Sequence, residues 1–117
     1  MRYTELAGLA VMAFATSMVG SVAAPPNPRA GQHLATNCAA CHGSDGMSVD
    51  TSIPNLAGQH YVYLVQQLTA FKNGGRVSPL MTELARPLTE QQIADISAYY
   101  ASVPIQVAKP PGSKHQP

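Results

Sequence analysis

The stretch Cys38-Ala39-Ala40-Cys41-His42-Gly43 decides how the chain is interpreted, because it holds both of its cysteines. A structural zinc site needs about four ligands, and no second Cys or His pair follows downstream. A thioredoxin-like redox pair needs a strand before its CxxC motif, and the sequence has no strand pattern. The motif therefore favours the third use of CxxCH, in which both thiols attach a haem covalently and His42 becomes the proximal iron ligand.

The N-terminus has the layout of a secretory signal peptide. Arg2 is followed by an uncharged apolar run, residues 6–19, and then by small residues. We expect a signal peptide at residues 1–23, cleaved after Ala23, and hence export to the periplasm. An uncleaved membrane anchor is the alternative, and only then would the protein contact a membrane. In an oxidising compartment two cysteines would ordinarily form a disulfide, but the histidine that follows Cys41 argues against one here.

Length and charge narrow the possible functions. The chain has 117 residues, with 7 Lys and Arg, 6 Asp and Glu and a formal net charge of +1. This length suits one small domain. The few charges are balanced and form no basic cluster, so nucleic acid is not expected as a partner.

Helical periodicity predicts an all-α domain at residues 24–104. It has three main helices: one at about residues 28–37, one that Gly74 ends, and one that starts at the capping box of Thr89 and ends at Pro104. Residues 43–58 and 75–88 show no periodicity and are predicted as loops. Residues 105–117 are rich in proline and are predicted as a disordered tail.

The predicted domain is short of hydrophobic core, and its loops are long. About 80 ordered residues lie at the size where small domains usually need a disulfide, a metal or a cofactor. Loops of this length in a small domain usually enclose a ligand or a cofactor. A large, flat, apolar cofactor would add to the small hydrophobic core.

Two methionines follow residue 23, and either could in principle supply the distal iron ligand. Met47 comes only five positions after His42 and would have to cross the haem edge almost at once. Met81 lies on the second predicted loop and has room to reach the opposite face. We expect Met81 to be the distal ligand, with His60, His33 or an open site as alternatives.

The sequence resembles a class I c-type cytochrome and is most similar to one lobe of the bacterial dihaem cytochromes of the c-four group. The resemblance rests on CAACHGSDG, IPNLAGQ, YLVQQLTAFKNGGR, Met81-Thr82 and LTEQQIADISAYYAS. It implies a small class I cytochrome c fold wrapped around one covalently attached haem c. It also implies that the first and last helices cross, with Gly31 and Leu34 meeting Ile96, Tyr99 or Tyr100.

The resemblance also assigns roles around the haem. Cys38 and Cys41 would form the thioethers, and the carbonyl of Pro54 would accept a hydrogen bond from the iron-bound His42. The side chain of Leu56 would pack on the haem.

Two further side chains are implied as contacts of a haem propionate. They are Arg76 and, with less support, Gln59. An arginine that is simply solvated after a helix is the alternative for Arg76.

The expected function is periplasmic electron transfer by a His/Met-ligated, low-spin monohaem cytochrome that catalyses no reaction of its own. Its partners would be redox proteins, such as a larger enzyme subunit or a terminal oxidase. One alternative is the cytochrome subunit of a redox enzyme, such as a dehydrogenase of sulfur compounds. A more distant one is a ligand-binding or peroxidatic haem protein, which would need an open sixth position.

Overall fold

The computed structural model describes residues 23–106, and within this range all regular structure is helical. The helices are α1 (Pro28–Leu34), α2 (Thr36–His42), α3 (Tyr61–Asn73), α4 (Pro79–Ala85) and α5 (Glu90–Ser102). The predicted all-α fold class is confirmed. The predicted signal peptide and most of the predicted tail lie outside the described residues. Between residues 23 and 106 no helix has the length and hydrophobicity needed to cross a membrane.

The prediction of a single first helix at about residues 28–37 is wrong in extent. The helix is interrupted at Ala35, which separates α1 from α2. The hydroxyl of Thr36 donates a hydrogen bond of 2.9 Å to the carbonyl of His33. Such a bond competes with the backbone ladder of a helix. The CxxCH motif consequently lies on a short helix of its own, α2, which ends at Gly43.

The prediction of an irregular loop at residues 75–88 is also wrong, because α4 lies within it. Ser78 caps this helix, since its hydroxyl accepts a hydrogen bond from the backbone N–H of Met81 at 3.4 Å. Pro79 occupies the first turn, where its missing N–H costs nothing. Met81 therefore sits on a helix instead of a flexible loop.

The predicted start of α5 is confirmed. The Thr89 hydroxyl accepts from the backbone N–H of Gln92 at 3.1 Å, and the Gln92 side chain accepts from the N–H of Thr89 at 2.9 Å. This reciprocal pair is a capping box. It fixes the start of the helix that contributes three of the eight buried hydrophobic residues in the described part of the chain.

Helices α1 and α5 pack directly against each other, as the resemblance implied. A Cβ atom at Gly31 would collide with the backbone carbonyl of Asp95, so only glycine permits this approach. The Asp95 side chain is buried and accepts a hydrogen bond of 2.8 Å from the backbone N–H of Asn27. The start of α1 is thus tied to the middle of α5 beside the close contact.

The core lies where α1, α3 and α5 meet. Its buried cluster consists of Ala35, Leu64, Ile96 and Tyr100. Partly buried side chains that pack against it include Leu34, Cys38 and Leu56. One cysteine of the CxxCH motif is therefore in contact with the core.

Candidate functional site

His42 is the best-defined side chain of the site. It is the last residue of α2, is buried, and its Nδ1 atom lies 2.8 Å from the carbonyl oxygen of Pro54. A carbonyl can only accept, so Nδ1 carries the proton and the lone pair is on Nε2. The structure thus brings together two predicted residues and leaves Nε2 available to a metal, the arrangement that metal-bound histidines generally need.

The two cysteine side chains are free thiols and lie one turn apart on α2. Cys41 is exposed, whereas Cys38 is half-buried against the core. Burial raises the pKa of the Cys38 thiol, and the nearby Tyr100 hydroxyl offsets part of that rise. Both sulfur atoms and His42 lie in the last two turns of the same helix, so one short element carries all three groups.

The segment between α2 and α3 is fixed by its backbone. The carbonyl of Gly46 accepts hydrogen bonds from the N–H groups of Leu56 at 2.8 Å and Ala57 at 3.1 Å. Gly46 has a φ of 79°, and a Cβ there would lie 2.8 Å from the Tyr100 ring. Glycine is needed at this position for both reasons. The fold of this loop places Pro54 beside His42 and Leu56 against the core.

Met81 is half-buried on α4, between Leu80 and Thr82 of the same helix. Met47 is 48% exposed and lies in the loop that follows α2, where its backbone packs against Gly43. Met47 therefore stays close to the end of the helix that carries His42. Met81 is presented by an element distinct from that helix.

Arg76 follows α3 and folds back on it. Its Nη1 atom donates a hydrogen bond of 2.6 Å to Oε1 of Gln67, and its guanidinium lies 4.6 Å from the centroid of the Phe71 ring. The guanidinium remains exposed, with donors left over after the bond to Gln67. Gln59 is also exposed, and its backbone N–H donates to the carbonyl of Leu56 at 3.2 Å.

The histidines that were alternatives to Met81 are exposed. His33 lies on α1, and His60 precedes α3, where its side chain makes no capping hydrogen bond. His115 lies outside the described residues. Within residues 23–106, neither His33 nor His60 forms a hydrogen bond with His42.

The sequence did not reveal that two hydroxyls on α5 are buried without a hydrogen-bond partner. Ser97 Oγ and Tyr100 Oη are buried and have no hydrogen-bond partner among the described residues. Burial also raises the pKa of Tyr100 above its usual range, with the neighbouring Cys38 adding to the effect. The resemblance named Tyr100 among the residues that meet α1, but nothing in the sequence indicated that its polar end would lie near Cys38.

The donor set fits a covalently attached haem. The described residues offer two thiols on one helical turn, an imidazole whose Nδ1 is held by a carbonyl, and a thioether on another helix. Within residues 23–106, no group of three or more His, Cys, Asp or Glu side chains is placed to hold a metal ion by itself. The buried Tyr100 hydroxyl near Cys38 has no hydrogen-bond partner among the described residues.

Comparison with protein families agrees with this chemistry. The family model "Cytochrome c" matches residues 28–104. The chain is 45% identical over 98 residues to the cytochrome c4 of Thiocapsa roseopersicina, covering 80% of the chain and 48% of that relative. It is 36% identical over 94 residues to the thiosulfate dehydrogenase electron acceptor of Thiomonas intermedia (strain K12), covering 80% of the chain and 43% of that relative.

A solved structure is similar as well. The cytochrome c4 of Acidithiobacillus ferrooxidans superposes with a TM-score of 0.63 at 40% identity, covering 68% of the chain and 51% of that structure. The chain thus spans about half the length of the c4 relatives it matches.

Proposed function

The chain belongs to the cytochrome c family, and from that premise we propose that it is a periplasmic monohaem cytochrome that carries single electrons between redox proteins. The observation that carries the proposal is the 2.8 Å contact between His42 Nδ1 and the Pro54 carbonyl, directly after the two thiols of α2. An iron ligand held in one tautomer and one orientation suits a centre that keeps its ligands throughout a redox cycle.

The cofactor of the family is a covalently attached haem c, and Cys38 and Cys41 occupy its CxxCH positions. Each thiol would add across one vinyl group, forming a carbon–sulfur bond while its hydrogen goes to the other vinyl carbon. This addition needs neither an oxidant nor a reductant. When bound, the haem supplies an iron centre that accepts and releases one electron.

The remaining roles belong to side chains around the iron. His42 would bind it through Nε2, and the Pro54 carbonyl would hold the ring and increase its basicity. Met81 would also hold the iron, through a soft thioether that favours a high reduction potential. Leu56 would exclude water from the haem face.

Arg76 and Gln59 are proposed as partners of a haem propionate. Both side chains are exposed, and the bond from Arg76 to Gln67 uses only one of the guanidinium donors. The remaining donors of Arg76 suit a carboxylate.

An electron carrier with this charge should dock weakly. The formal net charge is only +1, and long-range attraction to an oppositely charged partner is correspondingly small. We expect transfer rates to depend only shallowly on ionic strength. Short-range contact at a small apolar surface would then determine the affinity.

The proposal is tested by the absorption spectrum of the oxidised, haem-loaded protein. The weak near-infrared band of methionine-to-iron ligation should be present and should disappear in Met81→Ala. Met47→Ala is the matched control, because this methionine is partly exposed and lies near the end of α2. A band that survives Met81→Ala would contradict the ligand assignment.

A second candidate is an electron-accepting subunit of a redox enzyme. One relative, described above, is named as a thiosulfate dehydrogenase electron acceptor. In that case the chain should co-purify with a larger catalytic subunit and be reduced by it in the presence of the substrate. A free protein that is reduced equally fast by unrelated donors would favour the independent carrier.

A ligand-binding or peroxidatic role is the least supported candidate. It requires an open or labile sixth position, so carbon monoxide should bind to the reduced protein at neutral pH. Failure to bind carbon monoxide would agree with ligation by Met81.

A further inference from the structure

Lys72 connects two helices of the site through backbone carbonyls. It lies in the last turn of α3, and its Nζ atom donates to the carbonyls of Arg86 at 2.9 Å and Leu88 at 2.7 Å. Arg86 is the C-cap residue of α4 and directly follows Ala85, its last residue. One ammonium group thus joins the end of α3 to the end of α4.

One of these bonds satisfies the carbonyl of the C-cap residue of α4, and the other satisfies a carbonyl in the short connection to α5. The last carbonyls of a helix have no N–H in the next turn to accept from, and a cation near them is favourable. Pro87 follows directly and has no N–H with which to continue the helix. Lys72 therefore adds, from another helix, hydrogen bonds to the C-terminal end of α4 and to the residues that follow it.

The other hydrogen bonds recorded for α4 and its flanks are local. Ser78 bonds to Met81 and Thr82, and Arg86 pairs with Glu83 through exposed side chains. Among the described residues, the two bonds of Lys72 are the hydrogen bonds that fasten the segment 77–88 to another helix. Apart from them, the segment is held by apolar contacts, which include the fully buried Ala85 and the side chain of Leu88 packed against the core.

Met81 lies on α4, five residues before Arg86, the nearer of the two acceptors. A seven-residue helix moves largely as a unit, so the angle at which α4 is held also sets the position of the Met81 sulfur. We propose that Lys72 is a positioning residue for the distal ligand: by clamping the end of α4 to α3, it keeps Met81 in place against exchange with external ligands. This inference rests on the proposed function, in which Met81 ligates the iron.

The energetic argument concerns the equilibrium between a state with Met81 in place and a state with α4 displaced. Displacement breaks both bonds of Lys72 and returns its ammonium to water. Hydrogen bonds to charged groups stabilise more than neutral ones do, and the partial exposure of Lys72 reduces their contribution. Loss of the clamp should therefore increase the displaced population about fivefold.

Cyanide binding to the oxidised, haem-loaded, full-length protein measures this population, because cyanide competes with the methionine sulfur. Lys72→Met removes the donors but keeps a stem of similar length, and its apparent affinity for cyanide should rise about fivefold. Lys72→Arg keeps donors that reach the same carbonyls and should restore most of the wild-type resistance. Lys72→Gln provides a second loss-of-charge variant should the methionine variant fail to accumulate.

Two controls separate the clamp from a general loss of stability. Arg86→Gln removes an exposed ion pair on α4 while leaving its backbone carbonyl to Lys72, so its cyanide affinity should be unchanged. Asn27→Ala removes the side-chain cap of α1, which makes no contact with Lys72 or its acceptor carbonyls, and should lower the unfolding free energy without changing cyanide affinity. A rise in affinity for either control equal to that for Lys72→Met would overturn the proposal.

The outcomes also distinguish this inference from the function on which it rests. If Met81→Ala strongly increases cyanide affinity and Lys72→Met does not, Met81 is the ligand but Lys72 does not position it. If Met81→Ala leaves both the near-infrared band and the cyanide affinity unchanged, the ligand assignment fails and the role of Lys72 fails with it.

Discussion

Gly31 of α1 lies directly against the backbone carbonyl of Asp95 in α5, at a distance that excludes any side chain. The contact occurs beside the hydrogen bond from the Asn27 N–H to the Asp95 carboxylate. Together these contacts set the crossing of the first and last helices. The CxxCH motif follows α1 after a single break, so its position depends on this crossing.

Gly31→Ala should destabilise the protein, because its Cβ would force α1 and α5 apart. Overpacking of this kind costs roughly 1–3 kcal/mol, more than the helix propensity gained by replacing glycine. Denaturant unfolding of the haem-loaded protein measures the effect. Gly75→Ala is the matched control, because a Cβ there would meet its nearest neighbours at 3.8 Å, an ordinary contact distance. Equal stability of the two variants would contradict the close crossing.

Thr89→Ala should lower the unfolding free energy by about 1 kcal/mol, because it removes the N-cap of α5. The Gln92 N–H would lose its 3.1 Å partner, and one half of the capping box would disappear. Urea denaturation at neutral pH measures the change. Thr51→Ala, in an exposed part of the loop after α2, should stay within about 0.5 kcal/mol of the wild type.

Tyr100→Phe should leave stability unchanged or increase it by up to about 1 kcal/mol. The buried Tyr100 hydroxyl has no hydrogen-bond partner among the described residues, so its removal takes away a desolvated polar group and keeps the ring. Tyr100→Leu should instead cost about 2–4 kcal/mol, because the ring packs on Gly46 and fills the core. A large loss in the phenylalanine variant would show that the hydroxyl gains a partner in the haem-loaded protein.

Protein produced without haem should be largely unfolded. Its described core has eight buried hydrophobic residues, and three of them are alanine, which buries little surface. Near-ultraviolet circular dichroism and amide exchange of the haem-free chain test this expectation. A cooperative thermal transition in the haem-free form would show that the helices hold together without the cofactor.

The sequence was sufficient for the elements whose signals are local. The capping box at Thr89 and the termination at Gly74 predicted the start of α5 and the end of α3. Helix α4 was missed because its seven residues are too few to show periodicity, although Ser78 and Pro79 together are a capping signal.

Other features had no local signal. The contact of His42 with Pro54 was expected only through the family resemblance, because it depends on the path of a loop. The bonds of Lys72 join it to carbonyls 14 and 16 positions away, and no pattern of side chains encodes which backbone groups a lysine will reach. Interactions between a side chain and a distant backbone are in general the part that tertiary structure decides.

The contact of Cys38 with Tyr100 has a consequence for the order of events during biosynthesis. The thiol lies on α2, whereas the ring that lies beside it belongs to α5, which the ribosome releases later. A contact between such distant positions cannot form until that helix arrives. Until then the Cys38 thiol is open to chemical modification, and docking of α5 partly covers it, whereas the Cys41 thiol stays exposed in the folded chain.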